Sequence, residues 1–314
     1  MVHLRSSMVT AGAVTALVLV LGMAGGSVAS TSPARAAGHS PFVGVIGPVV
    51  VAVGDIACAP GSSVTRTRCV DAATAKVASR SNPRYVFALG DLQYHSGRLT
   101  EFRNAYAHTW GRSKAITRPV PGNHEYRTRG AAGYYAYFRG RTRSPGYYAF
   151  NVNSRRWRVY ALNSNCSQID CVKEAAWLDR DMTRHPRRCS AILMHHPLYS
   201  SGTHHGDSPE ARRFWRVALK HHADLALAGH EHNYERFQRM DADGHRTTSG
   251  MRSFVVGTGG EELYGRGNVE KGSEFFYHRS FGVLVLKLGL HRFAWKFRTT
   301  GGDVIDRGRV TCRR

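Results

Sequence analysis

Three features are scarce in this chain of 314 residues: acidic side chains, long apolar stretches and closely spaced cysteines. After residue 36, no stretch approaches the roughly 20 apolar residues that a membrane-spanning helix needs. No Cys-x-x-Cys motif occurs, which disfavours a structural zinc site. The same part of the chain contains no internal repeat and no low-complexity tract. We therefore expect a folded protein without stable membrane insertion.

The charge balance is strongly basic, with 22 acidic residues against 44 lysines and arginines and a formal net charge of +22. Such a chain favours anionic partners, among them phosphorylated substrates, nucleic acid and anionic cell-envelope polymers. The arginines are scattered over many segments, and the sequence contains no basic helix and no known nucleic-acid-binding module. We expect an anionic partner and no dedicated nucleic-acid binding. A surface made basic for solubility is the alternative.

Residues 1–36 have the layout of a secretory signal peptide. Arg5 precedes a stretch from Met8 to Ala29 that is almost wholly apolar or small, and cleavage is expected after Ala29 or Ala36. An N-terminal membrane anchor is the alternative. Removal of this segment would lower the charge from +22 to +20, because it contains two arginines and no acidic residue. We expect a secreted protein in which residues 37–314 form a single domain.

Six cysteines in an exported chain favour disulfides over a zinc site. Two pairs of cysteines flank short loops, and the last two lie before an apolar strand and at the C-terminus. Six cysteines allow many pairings, so connectivity cannot be deduced from spacing alone. Pairing neighbours along the chain gives Cys58–Cys69, Cys166–Cys171 and Cys189–Cys312.

Apolar runs that end at Gly-Asp give the first part of the chain an α/β order. Residues 49–53 and 85–89 are predicted buried strands, and a helical pattern covers residues 70–80 between them. Asp55 and Asp91 each follow one of these strands directly after a glycine. Open α/β sheets carry their ligand sites at the carboxyl ends of the strands, so both aspartates are expected at such a site.

The remaining elements predict helices first and strands towards the end of the chain. We expect the Gly-, Tyr- and Arg-rich segment 130–148 to be a loop. The order predicts a two-sheet sandwich with helices outside. The further predicted helices are 99–110, 173–184 and 209–221, and the further strands are 118–121, 147–152, 158–162, 189–194, 223–228, 254–256, 283–287, 291–297 and 304–310.

Metal-binding side chains recur at or near the predicted strand ends. A single aspartate after a strand is usually a turn residue, and a single histidine in a loop is usually solvated, but a whole set at strand ends indicates a common site. Oxygen and nitrogen donors suit two close divalent or trivalent metals, which clamp the attacking and leaving oxygens of a phosphoryl transfer. The candidate ligands are Asp55, Asp91, Tyr94, Asn123, His195, His230 and His232.

Five motifs occur in a fixed order: Gly-Asp at 54–55, Gly-Asp-x-x-Tyr at 90–94, Gly-Asn-His-Glu at 122–125, His-x-Pro-x-Tyr at 195–199 and Gly-His-x-His at 229–232. In this order they resemble the calcineurin-like metallophosphoesterases, and within them the purple acid phosphatase branch. The continuation 233–236 and the pair His204–His205 add to the likeness. The resemblance implies an α/β fold, a four-layer α/β/β/α sandwich of two mixed sheets flanked by helices, with residues 37–314 as one catalytic domain. It also implies small phosphorylated substrates as partners.

Carried over by position, the resemblance implies a ligand set for each of two metals. The first metal would be held by Asp55, Asp91, Tyr94 and His232, and the second by Asp91, Asn123, His195 and His230. Asp91 would bridge the metals, because a carboxylate has two oxygens. A phenolate from Tyr94 favours Fe(3+) in the first site, and the second would hold Fe(2+), Zn(2+) or Mn(2+). His196 occupies a position that varies in the family and is expected to face elsewhere.

The resemblance also implies the reaction: an acid phosphatase hydrolysing phosphate monoesters by attack of a metal-bound hydroxide on phosphorus. Positive charges around the phosphoryl oxygens and a general acid at the leaving oxygen complete this scheme. His124 and His204 are the expected catalytic residues, and Asn123, His124 and His205 the expected substrate contacts.

Two other functions stay open, together with one expected departure from the family. A phosphodiesterase or nucleotidase on the same scaffold is the first alternative, because the motifs identify the metals and not the leaving group. An exported binding protein with a vestigial metal site is the second, and the complete ligand set argues against it. Larger plant-type enzymes carry an extra N-terminal β-domain. We expect none here, since about a dozen residues separate residue 36 from the first strand.

Overall fold

The structure is a computed structural model that describes residues 40–313, and the predicted signal peptide, residues 1–36, lies outside the described residues. The strands are β1 (Val49–Val53), β2 (Tyr85–Leu89), β3 (Thr117–Val120), β4 (Tyr148–Val152), β5 (Trp157–Ala161), β6 (Cys189–Leu193), β7 (Leu225–Ala228), β8 (Tyr234–Met240), β9 (Met251–Val256), β10 (Ser273–Tyr277), β11 (Gly282–Leu288), β12 (Arg292–Thr299) and β13 (Val304–Thr311). The α-helices are α1 (Asp71–Arg80), α2 (Leu99–Asn104), α3 (Ala132–Tyr137), α4 (Cys171–Arg184) and α5 (Arg212–Lys220).

Two mixed β-sheets contain all of these strands. The first sheet has the order β13-β12-β11-β1-β2-β3, and the second has the order β10-β8-β9-β7-β6-β5-β4. Strands β1, β2 and β3 are parallel, as are β5, β6, β7 and β9. Antiparallel strands complete each sheet, so the parallel strands lie side by side within each sheet. The carboxyl ends of neighbouring parallel strands therefore lie at one edge of each sheet.

The main core lies between the two sheets. Val50 and Phe87 on the first sheet belong to one buried cluster with Leu193 and Phe254 on the second. Burial of a side chain of this size contributes about 1.5–3 kcal/mol relative to leaving it exposed. Alternate residues of the same strands point to the outer faces, because strand side chains have a period of two.

Helices cover the outer face of each sheet. On the first sheet, Val77 of α1 and Phe102 of α2 are buried with Val51 and Val86 of the strands. On the second sheet, Leu178 of α4 and Phe214 of α5 belong to another buried cluster that includes strand residues. The result is a four-layer α/β/β/α sandwich, and the predicted fold class is confirmed.

Helix α4 shows how local sequence positions these layers. Its N-cap residue Asp170 accepts hydrogen bonds from the backbone N–H groups of Val172 at 3.1 Å and Lys173 at 3.0 Å. Such a cap satisfies donors that the first turn of a helix leaves free and stabilises the helix by roughly 1 kcal/mol. Leu178 and Met182, one turn apart, form part of its buried face. The helix begins at Cys171, slightly earlier than expected.

The structure corrects several sequence-based assignments. The segment 130–148, expected to be a loop, contains α3, because Tyr134 and Phe138 pack into the buried aromatic cluster around Phe102. The expected helix 99–110 ends at Asn104, and short 3-10 segments follow it. Strands β8 and β10 were not predicted. Charged residues interrupt the apolar pattern of both segments, so the sequence did not indicate strands there. In the structure these charges are paired, as in the contact between Arg236 of β8 and Glu274 of β10.

The three disulfides join neighbours along the chain, as in the simplest pairing. The Cα–Cα distances are 5.4 Å for Cys58–Cys69, 5.3 Å for Cys166–Cys171 and 5.6 Å for Cys189–Cys312, and none of the six cysteines is free. The last of these links the start of β6 in the second sheet to the residue after β13 in the first. Among residues 40–313, no helix has both the length and the apolar character needed to cross a bilayer.

Candidate active site

The predicted metal ligands meet where parallel strands of both sheets end. Asp55 and Asp91 follow β1 and β2, and His195 and His230 follow β6 and β7. The backbone N–H of His230 donates to Asp55 Oδ2 at 2.9 Å, and His195 Nδ1 lies 2.9 Å from the carbonyl oxygen of Leu89. These contacts connect the two sheets directly at the site.

One half of the site is centred on the hydroxyl group of Tyr94. This oxygen lies 3.1 Å from Asp55 Oδ1, 3.3 Å from Asp91 Oδ2 and 2.9 Å from His232 Nε2. All four side chains are buried. They are the four residues expected to hold the first metal, and the structure brings them together.

The other half is centred on Nε2 of His195. This atom lies 3.0 Å from Asn123 Oδ1, 3.3 Å from Asp91 Oδ2 and 3.1 Å from His230 Nδ1. The four residues expected at the second metal therefore also lie together. Asp91 Oδ2 takes part in both groups, which is the arrangement that a bridging carboxylate requires.

The donor set fits bound cations. A neutral His195 ring that donates from Nδ1 to the Leu89 carbonyl leaves a lone pair on Nε2, which then faces the oxygens of Asn123 and Asp91. Lone pairs that face one another repel unless a positive charge lies between them, which is either a proton on Nε2 or a metal ion in its place. Carboxylate, imidazole, amide and phenol groups are also donors that Fe, Zn and Mn accept.

The electrostatics of the site also favour positive charge. Burial lowers the pKa of His195, but the charge of Asp91 outweighs it and the pKa rises to about 9. Burial raises the pKa of Asp91, but the charge of His195 outweighs it and holds the pKa well below its usual range. Burial and the charges of Asp91 and Asp55 raise the pKa of Tyr94 well above its usual value. A phenolate at Tyr94 therefore needs a cation beside it.

Two glycines of the motifs are required by close approach. Gly90 has a φ of +83°, and an added Cβ would lie 2.5 Å from Nδ1 of His195. A Cβ on Gly122 would lie 2.2 Å from Oδ1 of Asp91. Any larger residue would displace a candidate ligand at either position, and the left-handed backbone at Gly90 also favours glycine.

Two buried glutamates to which sequence analysis gave no function, Glu125 and Glu231, organise the loops. Glu125 accepts hydrogen bonds from the backbone N–H groups of Asp91 at 2.9 Å and Gly122 at 2.7 Å, and it also contacts the N–H groups of Leu92 and Gln93. Burial and the charge of Asp91 raise the pKa of Glu125 to about 8, whereas these amides favour its carboxylate form. Glu125 therefore connects the second motif, residues 90–94, to the third, residues 122–125.

Glu231 has a similar function in the loop that carries two candidate histidines. Its carboxylate accepts the backbone N–H groups of His204 at 2.9 Å and His205 at 3.0 Å. In the sequence, Glu231 lies between the two histidines of the fifth motif. The groups that it contacts belong to another loop, so the sequence alone does not indicate its function.

The histidines expected to contact substrate differ in their placement. His124 Nε2 lies 3.9 Å from Asp91 Oδ2, and the His205 ring stacks on the His230 ring at 4.0 Å. The His204 ring stacks on Tyr264 at 3.7 Å and hydrogen-bonds through Nδ1 to Thr203. His124 and His205 line the cleft beside the ligands, whereas His204 is not among its lining residues.

His196, expected to face elsewhere, lies beside the second group. Its Nδ1 is 2.8 Å from Ser164 Oγ, and its ring lies 4.5 Å from the ring of His230. The ligand atoms of His195, His196 and His230 lie within 4.8 Å of one another. Sequence analysis had no signal for this proximity, because adjacent residues usually point in different directions.

The cleft over the site has a volume of about 300 Å³. It is lined by candidate ligands and by additional residues that sequence analysis did not assign to the site. Their polar and aromatic side chains suit an anionic substrate with a variable leaving group. The additional lining residues include Arg68, His95, Arg127, Glu261 and Tyr264.

The family model for calcineurin-like phosphoesterases matches residues 48–234. The chain belongs to the calcineurin-like phosphoesterase family. The predicted family is therefore confirmed, and its phosphoesterase character agrees with the predicted enzyme class, a metal-dependent phosphoric ester hydrolase.

Among curated proteins, this calcineurin-like phosphoesterase is similar to a phosphoenolpyruvate phosphatase from Allium cepa. The two are 28% identical over 279 residues, which cover 74% of this chain and 56% of the relative. The chain thus spans little more than half the length of that relative.

Solved structures with the same fold include a purple acid phosphatase, PPD1, from yellow lupin (Lupinus luteus) seeds. Its TM-score is 0.67 at 19% identity, with 85% of this chain and 54% of the lupin chain covered. GAP50, the anchor in the inner membrane complex of Plasmodium, has a TM-score of 0.60 at 16% identity, covering 85% and 89% of the two chains. PhoD has a TM-score of 0.57 at 12% identity, covering 85% and 69%. These similarities establish the fold.

Proposed function

We propose that this chain is a two-metal phosphatase that hydrolyses phosphate monoesters. The single observation that carries the proposal is the position of Asp91 Oδ2, which lies 3.3 Å from Tyr94 Oη and 3.3 Å from His195 Nε2. One carboxylate oxygen is shared by two groups of donors, so the Asp91 side chain lies where it would contact both ions of a close pair. The names of the Allium phosphatase and the lupin purple acid phosphatase support the same reaction.

The protein's own residues define what each part of the site does. Asp55, Asp91, Tyr94 and His232 would hold the first metal, and Asp91, Asn123, His195 and His230 the second. When bound, the two ions supply positive charge to the phosphoryl oxygens and a nucleophile at neutral or acidic pH. Fe(3+) in the first site follows from Tyr94, because a phenolate is a hard anionic donor.

Histidines beside the candidate ligands would donate hydrogen bonds or a proton to the substrate's oxygens. His124 and His205 line the cleft and can donate hydrogen bonds to phosphoryl oxygens. His204 is the proposed general acid: it does not line the cleft itself, but its ring stacks on Tyr264, which does, so it lies beside the path of a leaving group that extends past Tyr264. Its backbone N–H donates to Glu231, which holds it in this position. A monoester needs little space beyond the metals, and the remainder of the cleft is available to the leaving group.

The test is a direct comparison of two chromogenic substrates on protein prepared without chelators. We expect faster turnover of p-nitrophenyl phosphate than of bis(p-nitrophenyl) phosphate, with both activities lost after chelation and restored by added metal. Faster turnover of the diester would assign the chain to the alternative, a phosphodiesterase or nucleotidase. Metal-independent activity, or none, would contradict the proposal.

We further propose that the protein is exported. The composition of residues 1–36 and the three disulfides support this, because disulfides persist in oxidising compartments. Expression of the full chain with N-terminal sequencing of the extracellular product tests it. A mature N-terminus after Ala29 or Ala36 is expected, and retention of the whole chain inside the cell would contradict it.

A further inference from the structure

His232 uses one ring nitrogen at the site and leaves the other unsatisfied. Its Nε2 lies 2.9 Å from Tyr94 Oη and 3.4 Å from Asp55 Oδ1, on the ligand side. Its Nδ1 is buried and has no hydrogen-bond partner among the described residues. When Nε2 binds a cation, the ring proton must be on Nδ1, and a buried N–H without an acceptor costs about 1–3 kcal/mol.

The nearest carboxylate to that nitrogen belongs to Glu261. Its Oε2 lies 3.9 Å from His232 Nδ1, and the side chain is only 5% exposed. The other oxygen, Oε1, is occupied by Arg68, whose Nε and Nη2 lie 3.2 Å and 2.6 Å from it. The guanidinium group balances the buried charge and leaves Oε2 directed towards His232.

Backbone contacts fix Glu261 between the ligand loop and a disulfide loop. Its N–H donates to the carbonyl of Asp55 at 3.3 Å, and its own carbonyl accepts the N–H of Cys69 at 3.0 Å. Cys69 is joined to Cys58, so Arg68 lies within a loop closed by a disulfide. Hydrogen bonds of both its backbone N–H and its backbone carbonyl group therefore hold Glu261 in place.

The plane of the His232 ring is fixed from a third direction. The ring of Tyr264 stacks on it at 4.1 Å with an angle of 6° between the planes. The N–H of Tyr264 also donates to the carbonyl of His232 at 2.9 Å. The stacking and this hydrogen bond restrain the orientation of the ring, whose Nδ1 lies on the side of Glu261.

We propose that Glu261 is a positioning residue for the first metal. When the metal binds Nε2 and the proton is on Nδ1, Glu261 approaches from 3.9 Å to hydrogen-bond distance and accepts this N–H, while Arg68 holds its other oxygen. The inference rests on the proposed two-metal function. Carboxylates that accept the outer N–H of a metal-bound histidine orient the ring and make it a stronger ligand, and their loss typically lowers metal affinity about 10–100-fold. Arg68, Glu261 and His232 would then act as one unit that links the disulfide loop to the metal site.

The experiment is a Zn²⁺ titration of metal-free protein with a competing chelator, comparing the parent with Glu261→Gln. We expect one of two dissociation constants to rise about 10–100-fold, with the other changed by less than about threefold. Glu262→Gln is the matched control, because this glutamate lines the same cleft but lacks the His232 contact, and it should change both constants by less than about threefold. Arg68→Gln keeps Glu261 but removes the guanidinium group that holds it, and should raise the same dissociation constant by a smaller factor.

A second readout separates positioning from general loss of structure. In the Zn²⁺-loaded parent, the Nδ1–H proton of His232 should resonate at low field in the NMR spectrum, and this signal should move in Glu261→Gln. Unchanged constants in Glu261→Gln, or equal losses in Glu262→Gln, would overturn the inference. If Glu261→Gln does not fold, a raised dissociation constant in Arg68→Gln together with the low-field signal in the parent would support the inference. Absence of both would overturn it. A parent that binds no Zn²⁺ would instead overturn the proposed function.

Discussion

The carboxylate of Glu125 accepts the backbone N–H of Asp91 at 2.9 Å, and so the third motif fixes the backbone that carries the candidate ligand shared by both halves of the site. The same carboxylate receives the N–H of Gly122 at 2.7 Å. Two strand ends that are far apart in the chain thus share one buried acceptor. The geometry of the site depends on residues behind the ligands as much as on the ligands themselves.

Replacement of Glu125 by glutamine should lower metal content and stability together. Glutamine keeps one acceptor oxygen but turns an N–H₂ group towards backbone N–H donors, and each buried N–H left without its acceptor costs about 1–3 kcal/mol. We expect Glu125→Gln to lower metal content per chain, measured by elemental analysis, and the midpoint of thermal unfolding. Exposed Glu210→Gln is the control and should change neither. Full metal content in Glu125→Gln would refute the positioning function.

Alanine variants of the three candidate histidines should separate catalysis from metal binding. His124→Ala, His204→Ala and His205→Ala should each lower kcat by about 10²-fold or more, because an acid or a charge-stabilising donor is lost. None of the three should change the metal content, since the seven ligands are intact. Because His205 lines the cleft and His204 does not, we expect His205→Ala to raise KM more. Loss of metal from these variants would show that their assigned roles are wrong.

Glu174 of α4 should make stability depend on pH. Burial raises its pKa well above 4.5, with one opposing hydrogen bond from the N–H of Asn163, and its Oε2 has no partner among the described residues. A raised folded-state pKa of a carboxyl group means that the native state binds the proton more tightly. Stability contributed by this proton is present at low pH and is lost as the pH rises above about 4.5.

The variant Glu174→Gln directly tests the predicted loss of stability with rising pH. Glutamine keeps an acceptor for the Asn163 N–H and removes the charge that must be desolvated at high pH. We expect Glu174→Gln to unfold at a higher temperature than the parent at pH 8, with a smaller difference at pH 5. The same midpoint difference at both pH values would contradict the raised pKa.

The three disulfides should contribute unequally to stability. Cys189–Cys312 closes a loop with a sequence separation of 123, against 5 for Cys166–Cys171. Loop-closure entropy then predicts about 5 kcal/mol for the long loop and about 2 kcal/mol for the short one. Denaturant unfolding of the two double Cys→Ala variants measures both, and a larger loss for the short loop would contradict this expectation.

The grouping of the candidate ligands could be predicted from the sequence, because each of them follows or lies near an apolar run that is typical of a strand. Asp55 and Asp91 follow β1 and β2 after a glycine, and His230 follows β7 in the same way. Once strands are assigned as parallel, their carboxyl ends must meet at one edge, so the polar residues there must be neighbours. The order of the motifs then indicated the family.

Other features depend on contacts that no local pattern reports. Helix α3 is stabilised by aromatic packing against Phe102, which overrides a segment rich in glycine and arginine. Strand β8 carries charges whose partners, such as Asp306 for Arg236, lie elsewhere in the chain. The contact between Glu261 and His232 likewise joins residues brought together only by the fold.

Metal analysis combined with a visible absorption spectrum tests the central claim most directly. Protein purified without chelators should contain two metal ions per chain, with iron in the first site. A charge-transfer band from Tyr94 should give a purple or pink colour that disappears in Tyr94→Phe, with monoester turnover in the same preparation. Protein that cannot bind two metals, or a fully iron-loaded oxidised protein without colour, would contradict the assigned ligands.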